Sequence, residues 1–170
     1  MELETRIWAS DSGWSAPIPE HLDGDSTLVL AFGDPAIGAD PRPIKDLRAA
    51  LPSARMLGCS TAGQILGDHL TDGTLVVSIA RFERTRVDTT TTVVSGPDES
   101  YAAGQRIAAA LTAPDLRSVF VLSDGLLVNG SELVRGCTSG LAPDVIVTGG
   151  LAGDGERFER TWVLAGDEPT

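Results

Sequence analysis

The apolar positions of this chain fall into short unbroken runs, separated by glycine, proline and aspartate, and few stretches carry helical spacing. Thr27 to Phe32 is one such run, and Gly33-Asp34-Pro35 breaks it, so it reads as a buried strand. Pro43 opens a short helix with Ile44, Leu47 and Leu51 on one face, at i, i+3 and i+7, and Pro52 ends it. Ala54 to Leu57 is the next strand and rises into Gly58. The same plan returns later. Arg117 to Ser123 is a strand broken by Asp124-Gly125, and Asn129 and Glu132 have capping-box spacing for a helix running to Gly140. Asp144 to Thr148 is a strand that rises into Gly149. Pro52 and Gly58 are spaced as Pro143 and Gly149 are. One constant offset also lays Leu28-Val29-Leu30-Ala31 onto Val119-Phe120-Val121-Leu122, and Phe32-Gly33-Asp34 onto Ser123-Asp124-Gly125. The pattern predicts a duplicated β-α-β unit in unbroken register, with one glycine turn per copy.

Between the copies, Gly73 to Phe82 and Arg86 to Ser95 read as a long antiparallel pair bent at Glu83-Arg84-Thr85, because valines, an isoleucine and a threonine run supply β-branched residues. Asp98 is placed to cap a helix from Glu99 to Leu111, with Tyr101, Ile107 and Ala108 inward, and Pro114 stops it. Residues 1–26, with Trp8, Trp14 and Pro17-Ile18-Pro19, read as an irregular arm with a short strand near Thr5 to Trp8. Phe158 to Leu164 reads as a last strand. The expected class is therefore α/β: a mixed sheet with helices on its faces, built on two duplicated β-α-β units plus an antiparallel hairpin. The expected organisation is an arm over 1–26 and one domain over 27–170. A last strand without a closing partner suggests the front part of a longer protein.

Charge and composition narrow the function. The chain has 170 residues and a formal net charge of −11, from 24 acidic and 13 basic residues, which argues against nucleic acid and anionic membrane as partners. No apolar run reaches the roughly 18 residues of a membrane helix. No signal peptide opens the chain and its two cysteines form no C-x-x-C pair, so a reduced, cytoplasmic setting is expected.

The two glycine turns invite tests against known chemistries. Gly58 to Gly63 has the glycine spacing of a phosphate loop, but Gln64 and Ile65 stand where lysine and a magnesium-binding hydroxyl belong. Gly58-Cys59-Ser60-Thr61-Ala62 approaches a nucleophile elbow, which keeps a hydrolase or acyl-transfer enzyme using Ser60 or Cys59 as one reading. The base would have to come from His21 or His69, and neither follows the acid in the expected order. The histidines lie far apart without carboxylates at helical spacing, so no metal site is expected, and His69 and Cys59 are the only weak candidates for haem ligands. The turns themselves point to ligand binding. In open α/β sheets ligands gather at the carboxyl ends of strands. There Thr61, Gly63 and the backbone of Gly150, Leu151 and Gly153 would hold a carboxylate, Asp124 or Asp154 would hold an ammonium, and Cys59, Ser60 and Asn129 complete the candidate ligand-binding residues. The plain alternative for each aspartate is a turn residue that bonds its own backbone.

Taken together, Gly58-Cys59-Ser60-Thr61-Ala62-Gly63, Leu122-Ser123-Asp124-Gly125 with Asn129-Gly130, and Gly149-Gly150-Leu151-Ala152-Gly153-Asp154 resemble the N-terminal half of the FIST family (F-box and intracellular signal transduction proteins). Phe82, Thr85, Phe158 and Thr161 fit the same pattern, and the likeness spans about residues 27 to 165. The resemblance implies a sensory domain of bacterial type that binds a small ligand such as an amino acid, rather than an enzyme. It also implies a C-terminal FIST half and an output partner such as a histidine kinase or a cyclic-dinucleotide enzyme. A haem-based nitric oxide sensor is the other reading that it implies.

Overall fold

In a computed structural model that describes residues 1–165 and 168–170, the chain folds as two compact units, residues 1–87 with 153–170 and residues 88–152. The first unit holds β1 (Glu2–Ala9), β2 (Gly13–Trp14), β3 (Thr27–Gly33), α1 (Arg42–Ala50), β4 (Arg55–Ser60), β5 (Gln64–Leu66), β6 (His69–Thr71) and β7 (Thr74–Arg81). The second holds α2 (Ser100–Leu111), β8 (Ser118–Ser123), α3 (Gly130–Gly140) and β9 (Ile146–Leu151). The last segment returns to the first unit with β10 (Leu164–Ala165) and β11 (Glu168–Pro169).

The first unit is built on a five-stranded mixed sheet in the order β2-β1-β7-β3-β4. Only β3 and β4 run parallel, and α1 is their crossover. β3 alternates fully buried Val29 and Ala31 with half-covered neighbours, so one face takes the core and the other is partly solvated. Ile44, Leu47 and Leu51 are buried as the helical spacing demands, and they join Val29, Met56, Leu75, Val77, Ile79, Trp8 and Trp162 in one core. Truncating a side chain such as Leu47 to alanine in such a core costs about 2–5 kcal/mol.

Three expectations about the strands are corrected. The arm is not irregular at its start: β1 runs eight residues and pairs with β7 along its whole length, from Glu2 opposite Arg81 to Ala9 opposite Thr74. The 73–95 hairpin does not form, and residues 85–94 carry no strand. The reason is edge supply. β7 lies between β1 and β3, so both of its hydrogen-bonding edges are taken. The threonine run is instead tied to α2, where Arg106 Nε donates to Thr92 Oγ1 (2.8 Å) and Nη2 to the Val93 carbonyl (3.0 Å). The last strand is also shorter than expected. Val163 makes an isolated bridge with Cys59, and β10 covers only Leu164–Ala165.

The second unit carries the other parallel pair, β8 with β9, and the helices α2 and α3. Asn129 caps α3 as its spacing predicted, its Oδ1 accepting from Glu132 N–H at 3.2 Å. Asp98 makes no cap on α2, and Pro97–Glu99 forms a 3-10 turn there instead. Ala103, Gly104 and Ala108 are buried on α2, whereas Tyr101 and Ile107 are half-covered. The two helices meet backbone to backbone. A Cβ at Gly104 would lie 2.2 Å from the Leu133 carbonyl oxygen, and one at Gly136 would lie 2.0 Å from that of Tyr101.

The duplication is visible in both units, with one correction to its register. Gly58 pairs with Ala31, but Gly149 pairs with Val121, one residue earlier than the constant offset requires. The second copy therefore holds one extra residue between its strands. The strand residues realign accordingly, so Asp34 now matches Asp124 rather than Gly125. Both aspartates do the same work: Asp34 Oδ1 accepts from Ala36 N–H and Asp124 Oδ1 from Leu126 N–H, each at 2.8 Å. Gly58 and Gly149 also match in function. A Cβ at either would strike the carbonyl oxygen of its partner strand, at 2.3 Å from Ala31 and 1.8 Å from Val121.

Candidate functional site

The candidate residues fall into a group in each unit. In the first, β4 ends at Ser60 and the chain turns through Thr61, Ala62 and Gly63 into the β5–β6 hairpin. Ser60 is fully buried and acts as a clasp. Its N–H donates to the Trp162 carbonyl (2.9 Å), its Oγ accepts from Trp162 N–H (3.1 Å), and its carbonyl accepts from Gly153 N–H (2.9 Å). Thr61 N–H donates to the Gly33 carbonyl at 2.9 Å. The turn thus rests on β3, the Trp162 main chain and Gly153, whose Cα faces the Ala62 amide nitrogen, with 3.6 Å left to a Cβ placed there.

Below the turn sits Gln64, buried and absent from the candidates drawn from the sequence. Its amide is oriented so that the oxygen accepts from Thr61 Oγ1 (3.0 Å) and Asp34 N–H (3.3 Å), while the nitrogen donates to Thr74 Oγ1 (3.3 Å) and the Thr71 carbonyl (3.2 Å). A buried amide with all partners supplied fixes the turn rather than merely filling space. The hairpin it supports was also missed. Its signal was the Gly67-Asp68 pair between two short apolar stretches, a recognised hairpin dipeptide, and Gly67 has φ +63°.

Asp154 is buried, and its carboxylate holds the following loop. Oδ1 accepts from Phe158 N–H (3.1 Å), and Oδ2 accepts from Glu159 (2.7 Å) and Arg160 (2.9 Å) N–H groups. The Arg160 and Glu159 N–H groups lead in holding the carboxyl below the usual carboxylate range, against the opposing effect of burial. Asp154 is therefore the centre of a loop that places Phe158 in a left-handed backbone at φ 52°. By contrast, the Ala62 and Gly63 N–H groups have no hydrogen-bond acceptor among the described residues, and Ala62 is exposed.

In the second unit, Asp124 accepts from Leu126 (2.8 Å) and Leu127 (2.5 Å) N–H groups, and Asn129 caps α3 while its own N–H donates to Ser100 Oγ (2.9 Å). Gly150 and Leu151 lie exposed at the end of β9. Both side-chain groups thus first of all build their own loops.

The structure gives little to the enzyme and haem readings. Cys59 is 2% exposed and burial pushes its thiol up to about 11, which leaves almost no thiolate at neutral pH. Ser60 is sealed under Trp162 with no histidine among its bonding partners. His69 stands 81% exposed on β6 beside the Asp68 carboxylate, 3.2 Å away. A buried neutral thiol and a solvent-facing imidazole do not make a haem pocket. The described cleft of about 640 Å³ is lined by Trp14 to Ile18, Glu20, Asp46 and Ala50 and offers no haem ligand.

Residues 27–170 match the FIST N domain, and the chain belongs to that family, whose domains are sensory modules of signal transduction. No curated protein and no solved structure matches the chain. No helix among the described residues is long and apolar enough to cross a membrane.

Proposed function

We propose that this domain is the input of a signalling protein and takes up a small polar ligand bearing a carboxylate, such as an amino acid, at the strand-end turn of the first unit. The observation that carries this reading is the pair of open N–H groups at Ala62 and Gly63, on a turn held rigid by Ser60, Thr61 and Gln64. Successive unpaired N–H groups in a tight turn form an anion-binding concavity. Thr61 and Gly153 border it, and Asp154 acts by fixing the adjoining loop. Binding would bias one arrangement of the signalling protein over another, and its output would pass to a partner such as a histidine kinase or a cyclic-dinucleotide enzyme.

A thermal-shift screen against L-amino acids and small carboxylates tests the reading, since a ligand that binds only the folded chain raises the midpoint by mass action. Ala62→Pro removes one of the two donors at an exposed position. The expected outcome is a shift in the wild type that this variant loses while its unliganded midpoint stays within a few degrees. Asp124→Ala, in the second unit, is expected to keep the shift. If Ala62→Pro keeps it and Asp124→Ala loses it, the ligand sits on the second unit's turn and the proposed site is wrong.

A further inference from the structure

Glu2, Glu4 and His21 make a mixed carboxylate–imidazole cluster in the segment before the residues that match the family. The period of two along β1 sends Glu2 and Glu4 to one face of the strand. The 3-10 turn Glu20–Leu22 then brings His21 to them. His21 Nε2 lies 3.4 Å from Glu2 Oε1 and 3.5 Å from Glu4 Oε1, and one donor atom of each residue lies within 4.8 Å of the other two. Donors about 2.1 Å from a tetrahedral zinc ion stand about 3.4 Å apart. Two edges of the cluster already have that length.

Neighbouring groups fix Glu4 and the main chain of His21. Arg6 Nη2 bonds Glu4 Oε2 at 2.5 Å and Arg6 Nε donates to the Pro17 carbonyl at 2.8 Å, which leaves Glu4 Oε1 toward His21. Ligating carboxylates are commonly fixed by such a second partner. The main chain of His21 is pinned as well. Its carbonyl accepts from Arg81 Nη1 at 3.0 Å, and the next residue, Leu22, is wholly buried, its carbonyl accepting from the Thr27 hydroxyl. Two carboxylates and one imidazole suit a borderline divalent ion better than a hard one such as magnesium. Sequence spacing could not show this, because the strand and the turn meet only in the fold.

We infer that Glu2, Glu4 and His21 bind a divalent transition-metal ion of the zinc class, with a fourth position open to water, and that the ion fastens β1 to the 20–22 turn. Calorimetric titration of the tag-free chain with zinc chloride near neutral pH tests this. The expected result is uptake of one ion, lost in His21→Ala and in the Glu2→Gln, Glu4→Gln double variant. Arg6→Ala is expected to weaken binding about tenfold, as loss of a group that orients a ligand does. His69→Ala changes the only other histidine and is expected to bind as the wild type does. His21 is exposed, so the metal-free His21→Ala variant keeps the wild-type midpoint, and loss of zinc uptake there is not loss of fold. Failure of the wild type to take up zinc, or wild-type affinity in His21→Ala, overturns the inference.

Discussion

Single residues in this chain are spent on holding turns. Asp154 shows it best: one carboxylate gathers three successive N–H groups, from Phe158, Glu159 and Arg160. Because these bonds favour the ionised form, the folded carboxyl titrates below its unfolded value of about 3.9. The stability it contributes is present above that unfolded value and is lost as pH falls through the depressed folded one. The midpoint of the wild type should therefore drop steeply below about pH 4. Asp154→Asn, which cannot ionise and offers a single acceptor oxygen, should start lower at neutral pH and fall less over the same range. Melting curves of both proteins between neutral and acid pH check this, and parallel curves would show that Asp154 is not the group responsible. Ser60 and Gln64 belong to the same class of residue. Their polar atoms are buried and hydrogen-bonded, which makes them supports of the turn.

At the scale of elements, the sharpest constraint is the close approach of α2 and α3. With Gly104 and Gly136 each facing the partner's main chain, any side chain must force the helices apart. Gly136→Val should cost at least about 1–3 kcal/mol, the usual range for overpacking. Denaturant unfolding followed by amide exchange in residues 100–140 is the measurement, and unchanged protection there would contradict the packing. The elements also show what could be read from sequence. Runs with local boundaries were legible: β3, α1, β4 and β8, and α3 with its Asn129 cap, all declare themselves by apolar period or terminal residues. The 86–95 strand was not legible, because β-branched composition says that a segment can pair but not whether an edge is open. β1 had taken that edge. Short apolar stretches around Gly67-Asp68 hid the β5–β6 hairpin, and the one-residue shift of the second copy emerged only from the pairing of Val121 with Gly149.

The molecule as a whole combines two β-α-β copies that share a plan but differ in what surrounds them. The first is built into a five-stranded sheet with a deep core, and the second is a two-stranded parallel pair with two helices. The candidate site was partly legible at this scale. The strand-end turns were found from glycine spacing, and family membership follows from residues 27–170. The roles of individual side chains were not legible, since Asp124, Asn129 and Asp154 look identical in sequence whether they face a ligand or their own backbone. The two open amides of Ala62 and Gly63, rather than those side chains, are where a ligand is expected. Amide chemical shifts of the ¹⁵N-labelled protein, followed while a mixture of L-amino acids is added, test it most directly. The account predicts that the Ala62 and Gly63 resonances move first and furthest, with Thr61 and Gly153 following. Saturable shifts elsewhere that leave Ala62 and Gly63 unmoved would contradict it.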